Sequence, residues 1–266
     1  MSTDLTQEDR EYLISQLEKK LGVRPVFYLK FCSKKEHAQD VCDGNFYANT
    51  AGFFRKKEIE SGERGQGDKN ELILPIRTQK ISMFDNETGA LVAIFDGGMA
   101  NIRINDDENV PIVSFVGIPL KDMLLISADE AHADFRFPFT DEEYSVMREK
   151  FGQYCVVLGA RELEQHIVDF CERENCDFIF DAVQYCSENR IDRMQAFADF
   201  SERRFLYKDE DLSYQREYRL AVSKEMPDDH FIRLGKMENA KMLPSESLQN
   251  LAFSIGYISE VKENAK

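Results

Sequence analysis

Apolar positions along the chain change their spacing several times, and each change marks an element. Leu13, Ile14, Leu17 and Leu21 recur at helical spacing, which predicts a helix over 6–21 that Gly22 stops. The β-branched and aromatic run from Arg24 to Phe31 predicts a strand. Ser33, with Glu36 three residues on, has the form of a capping box and opens a predicted helix over 34–42 that ends at Asp43-Gly44. A short strand over 45–49 and a helix over 52–59 follow. Residues 61–70 are polar, carry Gly62, Gly65 and Gly67, and predict a loop. Five strands are then expected, over 71–77, 80–84, 91–95, 100–105 and 110–118, with turns at Asn86-Glu87-Thr88-Gly89 and Asp96-Gly97-Gly98. The next elements are a helix over 141–151 capped by Thr140 or Asp141, a strand over 154–158, and a helix over 162–174. That last helix sets Leu163, Ile167, Phe170 and Cys171 on one stripe. Strands over 178–185 and 212–223 flank an Arg-rich, aromatic stretch, and two weaker strands close the chain at 231–234 and 251–258. No repeat, low-complexity segment or proline-rich linker divides it. The pattern predicts an α+β chain: an N-terminal helix over 1–22, then a single domain over 23–266 with a central antiparallel or mixed sheet and flanking helices.

Composition narrows the class. Hydrophobic residues are 42% of 266, enough for a packed core, which excludes disorder as the main state. Apolar runs such as 109–120 are broken by Pro, Gly or Ser well short of the ~18 residues a membrane span needs. The first ten residues are acidic and polar and lack the pattern of a signal peptide. The six cysteines form no Cys-x-x-Cys pair and most have apolar neighbours, so reduced thiols in a cytoplasmic protein are expected. His166, Cys171 and Cys176 fit no common zinc spacing, and no metal site is predicted. With 34 basic and 49 acidic residues the formal charge is -15, which excludes a sequence-blind nucleic-acid coat but leaves room for a local basic groove. The acidity serves solubility or, alternatively, mimicry of a nucleic acid.

Candidate chemistry concentrates in a few segments. On a strand, Gln215, Glu217 and Arg219 share one face, while Tyr218, Leu220 and Val222 share the other. That row is either a solvated face with a Glu–Arg pair or a carboxylate held rigidly to polarise a hydroxyl or stabilise positive charge. Lys30 is either an edge gatekeeper or a point charge for a pyrophosphate or ribose. Asn49 and Thr50 are either helix caps or holders of ribose hydroxyls or phosphate. Asp68 and Glu71 belong to a charged loop or begin a metal site whose third ligand is not specified. Arg190, Arg193, Arg203 and Arg204, interleaved with Phe197, Phe200, Phe205 and Tyr207, form either a basic helix face or a groove for nucleic acid.

Taken in chain order, these pieces resemble the ADP-ribosyltransferase superfamily. The resemblance rests on the strand through Tyr28-Leu29-Lys30, the helix ending at Gly44, the Phe46-Tyr47-Ala48-Asn49-Thr50 segment, and a late Gln215-x-Glu217. Within it the chain is similar to DarT-like toxins. It is more fully similar to a broad bacterial and phage family with a Gly67-Asp68-x-x-Glu71 loop and a Lys208-Asp209 pair before Tyr214-Gln215-Arg216-Glu217-Tyr218-Arg219, a likeness covering most of 24–260. It implies an ADP-ribosyltransferase-like fold with NAD as substrate. Glu217 and Gln215 would be catalytic, Glu217 binding the ribose 2′-hydroxyl and favouring an oxocarbenium-like state. Lys30, Tyr47, Asn49, Thr50 and Arg219 would bind NAD. The implied acceptor is a macromolecule, RNA or DNA ahead of protein, and the implied setting is a toxin or phage-defence effector with an antitoxin or inhibitor protein as partner. Ala48-Asn49-Thr50 departs from the Ser-Thr-Ser of many transferases, and Lys30 replaces the commoner His or Arg. Two other readings stand beside it: a non-enzymatic acidic interaction or inhibitor protein on the same fold, and a metal-dependent nuclease using Asp68 and Glu71.

Overall fold

The computed structural model describes residues 6–129, 131–187 and 190–256. Its α+β architecture contains a six-stranded sheet in the order Phe178–Ala182, Glu217–Val222, Ile112–Pro119, Pro25–Cys32, Tyr154–Gly159, Lys241–Pro244. Pro25–Cys32 runs antiparallel to both its neighbours, with Lys30 opposite Val156 and Leu29 opposite Val116. Phe178–Ala182 runs antiparallel to Glu217–Val222, with Asp181 opposite Arg219. Contacts divide the chain into two compact units: residues up to 46, 115–170 and from 233 on in the first, 47–114 and 171–232 in the second. The Ile112–Pro119 strand runs through the division.

In the first unit, α1 (Gln7–Leu21) opens on a capping box between Thr6 and Asp9, and Gly22 ends it. α2 (Lys35–Cys42) starts one residue later than Ser33 would set it. Lys34 is the N-cap and makes no side-chain cap, while the Ser33 hydroxyl lies 3.3 Å from His37 Nδ1 instead. α2 ends where Gly44, at φ +81°, passes Gly235 so closely that a Cβ would sit 1.8 Å from the Gly235 carbonyl oxygen. α4 (Asp141–Phe151) has Thr140 as its cap, in a box with Glu143, and α5 (Ala160–Glu174) belongs to this unit as far as Phe170. Leu29, Ile118, Phe135, Met147, Cys155 and Leu248 are the centre of an extensive apolar core.

In the second unit Ala51, Leu72, Ile112, Phe205 and Ala221 form one apolar cluster, and Phe180, Leu206, Leu212, Leu220 and Val222 are buried as well. Its helices are α3 (Ala51–Ser61), capped by Thr50 and closed by left-handed Gly62, and α6 (Ile191–Ala198). The 61–70 loop is docked on α3: the Asp68 N–H donates to the Phe54 carbonyl at 3.1 Å, and a Cβ on Gly67 would meet Glu58 N at 2.4 Å. The strand expected over 212–223 is shorter. Glu210–Gln215 forms a 3-10 turn, Arg216 takes a left-handed φ of +45°, and only Glu217–Val222 is extended. The strand expected over 178–185 breaks at Val183 into Phe178–Ala182 and Gln184–Cys186. The last expected strand is present as Ala252–Gly256, its final residues lying outside those described.

The four strands expected between 71 and 105 form one long two-stranded ribbon. Leu74–Arg77 pairs with Met99–Ile102, and Lys80–Phe84 pairs with Leu91–Asp96. Asp85 closes the tip by accepting from the N–H groups of Thr88 at 2.7 Å and Glu87 at 3.1 Å. All six cysteines are free, and among the described residues no helix is long and apolar enough to cross a membrane.

Candidate functional site

Every residue of the Glu217–Val222 strand is buried, so neither of its faces is solvated. Strand alternation puts Glu217 and Arg219 side by side, and the Arg219 Nε–H donates to Glu217 Oε1 at 2.8 Å. The same oxygen accepts from the Ser114 hydroxyl at 2.6 Å, and Oε2 accepts from Lys208 Nζ at 2.7 Å. The Glu217 N–H is bonded to the Tyr185 hydroxyl at 2.9 Å. Both carboxylate oxygens of Glu217 therefore already hold donors. Burial pushes the carboxyl up, but Arg219 and Lys208 outweigh it and hold Glu217 well below the usual carboxylate range. Glu217 is ionised and committed.

Arg219 has only 1% of its surface exposed and spends its fork on Glu71, with Nη1 at 2.6 Å from Oε1 and Nη2 at 3.1 Å from Oε2. Its Nη1 also donates to the Phe205 carbonyl at 2.7 Å. Burial alone would lower the Arg219 pKa; Glu217 and Glu71 together raise it. Gln215 is not on the strand but in the 3-10 turn before it. It meets Glu217 through Lys208, which donates to Gln215 Oε1 at 3.0 Å, while Gln215 Nε2 donates to the Gly65 carbonyl at 3.0 Å. The Gly67–Glu71 and Lys208–Arg219 segments are thus the two halves of one buried ion cluster. Asn70 Nδ2 adds a bond to Asp209 at 2.7 Å, and Arg64 reaches Asp209 and Asp211 at 2.8 and 2.6 Å. Asp68, beside them, is pushed up to about 6 by burial first and by Glu71 second.

The cluster also secures the root of the ribbon. Arg55 of α3 joins the segments that lead into and out of it: it donates to the Glu71 carbonyl before the ribbon and to the Glu108 carboxylate after it. Arg193 of α6 donates to the Ile73 carbonyl at 2.7 Å, and Arg204 grips Asp107 with two bonds of 2.6 Å. The stretch that read as a basic, aromatic groove is mostly consumed here. Arg193 is buried, Arg204 is paired with Asp107, Arg190 is paired with Asp192 at 2.7 Å, and Phe197, Phe205 and Tyr207 lie in the interior.

The remaining expected ligand-binding residues make other contacts. Lys30 belongs to the first unit and sits on an interior strand of the sheet, not on an edge, with its ammonium 5.4 Å from the Phe115 ring centroid. Thr50 Oγ1 accepts from the Phe53 N–H at 3.2 Å and caps α3. Asn49 forms a backbone bridge with Ile112, and Tyr47 stacks on His230 at 5.4 Å. Among the described residues no three His, Cys, Asp or Glu side chains converge as a metal site. Ser114 and Tyr185 escaped the sequence reading because nothing in their local pattern distinguishes them from ordinary strand positions, while Arg55 stood there only as the start of a charged segment before the 65–71 loop. No family model, curated protein or solved structure matches the chain.

Proposed function

We propose that the chain is a binding protein whose working surface is the apolar ribbon, and that the ion cluster is the fixture holding the ribbon's root. The observation that carries this reading is the exposure of the ribbon's apolar side chains. Ile81, Phe84, Leu91, Val92, Ile94 and Phe95 are each about half exposed (46–61%). Directly opposite pairs share a face, so Ile81, Met83 and Phe95 cover one side, and Val92 and Ile94 lie on the other. A two-stranded ribbon is marginal in water on its own, and apolar patches of this kind mark interaction sites.

The transferase reading asks a different thing of the same unit. For Glu217 to act on a ribose hydroxyl, the ribose must reach a buried carboxylate that already accepts from Arg219, Ser114 and Lys208, and opening that cluster is costly. The test is a labelled-NAD assay with wild type and Glu217→Gln, offered RNA, DNA and cell protein. The binding reading expects no nicotinamide release and no transfer from either protein. Transfer by wild type that vanishes in Glu217→Gln overturns it in favour of the transferase.

A further inference from the structure

We infer that the partner of the ribbon is the ribbon of a second copy of this chain, laid antiparallel across a two-fold axis. This rests on the binding reading above and adds the identity of the occupant. Three features carry it. The first is area. Nine large apolar side chains between Ile81 and Ile102 are 44–61% exposed. At roughly 150–200 Å² each they present on the order of 700–900 Å² over the two faces of the ribbon together, of which a contact along one face or edge covers about half.

The second is hydrogen bonding. Among the described residues the Lys80–Phe84 and Leu91–Asp96 strands pair only with each other, so each keeps an outer edge of backbone N–H and C=O groups there. A second extended ribbon satisfies such an edge directly, which a helix or a lipid surface does not.

The third is charge. The tip turn carries Asp85 and Glu87 and no cation, while the root end carries Arg77, Lys80 and Arg103 against Asp96, which faces Lys80, and Asp106, a small positive excess. An antiparallel two-fold arrangement brings each acidic tip beside the other copy's basic root. A parallel one sets tip against tip, which like charges oppose. The surface is therefore complementary to itself, as an isologous contact requires. The formal charge of -15 on each chain opposes approach at long range, so association is expected to strengthen as salt is raised from low values.

The experiment is sedimentation velocity on the full chain over about 1–100 µM, beside Ile94→Glu, Lys80→Glu and the double variant Lys80→Glu with Glu87→Lys. Wild type is expected to sediment with twice the 30.8 kDa chain mass. Ile94→Glu is expected to weaken the dimer by about 30-fold or more. Lys80→Glu should weaken it severalfold and the double variant should restore it, which also decides the matter if Ile94→Glu fails to fold. A monomeric wild type, or a dimer indifferent to Ile94→Glu and Lys80→Glu, overturns the inference. A monomer that is also inert toward NAD removes only the second copy and leaves the binding reading with another partner. A monomer that turns over NAD removes both.

Discussion

The root and the tip of the ribbon invert the ordinary distribution of side chains. At the root, Glu71, Glu217, Arg219 and Lys208 are charged and almost completely buried. Two sheet strands away along the chain, Phe84, Val92 and Ile94 are apolar and roughly half exposed. Buried ion pairs are poor sources of net stability compared with apolar packing, but they are unforgiving of a missing partner and so they hold one geometry. Exposed apolar side chains cost stability nothing once the strand is formed and gain only when covered. The contrast separates two jobs: the root fixes a position, and the tip is held ready for contact.

The sharpest way to break that contrast is Arg219→Ala. It leaves Glu71 and Glu217 buried with one cation removed, and is expected to cost about 3–5 kcal/mol in urea unfolding. A loss below about 1 kcal/mol would mean that the root is wetter and looser than its geometry implies. Asp68→Asn is expected to act in the opposite direction. The Asp68 carboxyl is pushed up to about 6 from an ordinary 3.8. The native state therefore holds that proton more tightly than the unfolded chain, so ionised Asp68 costs stability above about pH 6 and the cost fades as pH falls toward 4. The variant should be about 1–3 kcal/mol more stable at pH 7 and show a flatter stability profile between pH 4 and 6. Glu217 has the opposite sign: its pKa is depressed in the fold, so the stability it supplies is present above its ordinary 4.5 and lost on acidification.

Smaller effects sharpen the same comparison. Thr50→Ala removes the cap of the helix that carries Arg55, and should cost about 1 kcal/mol in thermal unfolding. A larger penalty accompanied by altered NAD affinity would return Thr50 to a binding role. Phe84→Ser at the tip is expected to change the unfolding stability of the monomer by less than about 0.5 kcal/mol, and to lower stability further only at concentrations where the dimer forms. The same substitution should reduce binding of an apolar dye, which would show that the tip contributes surface and not structure.

The ribbon's strands were legible because their β-branched and aromatic runs are bounded by turn residues, yet their exposure was not. Leu91-Val92-Ala93-Ile94-Phe95 has the composition of a core strand, yet among the described residues nothing buries Leu91, Val92, Ile94 or Phe95. At the site, the shared face of Glu217 and Arg219 followed from strand alternation. Glu71 did not follow, because it lies 148 residues from Arg219 in a segment whose glycines and charges suggest a free loop. Gln215 was misplaced for a related reason: Leu212 and Tyr214 suit a strand, and nothing local announces the left-handed turn at Arg216.

The turn chemistry at the tip bears on how the molecule fails. Residues 91–95 are strongly β-prone, uncharged and free of proline, the composition from which steric zippers grow. Asp85 and Glu87 on one side and Asp96 on the other act as gatekeepers that keep such strands from stacking without limit. Neutralising them, by acid or by mutation, is expected to turn a ribbon that pairs once into one that templates fibrils, detectable by thioflavin fluorescence while the core of the first unit is still folded.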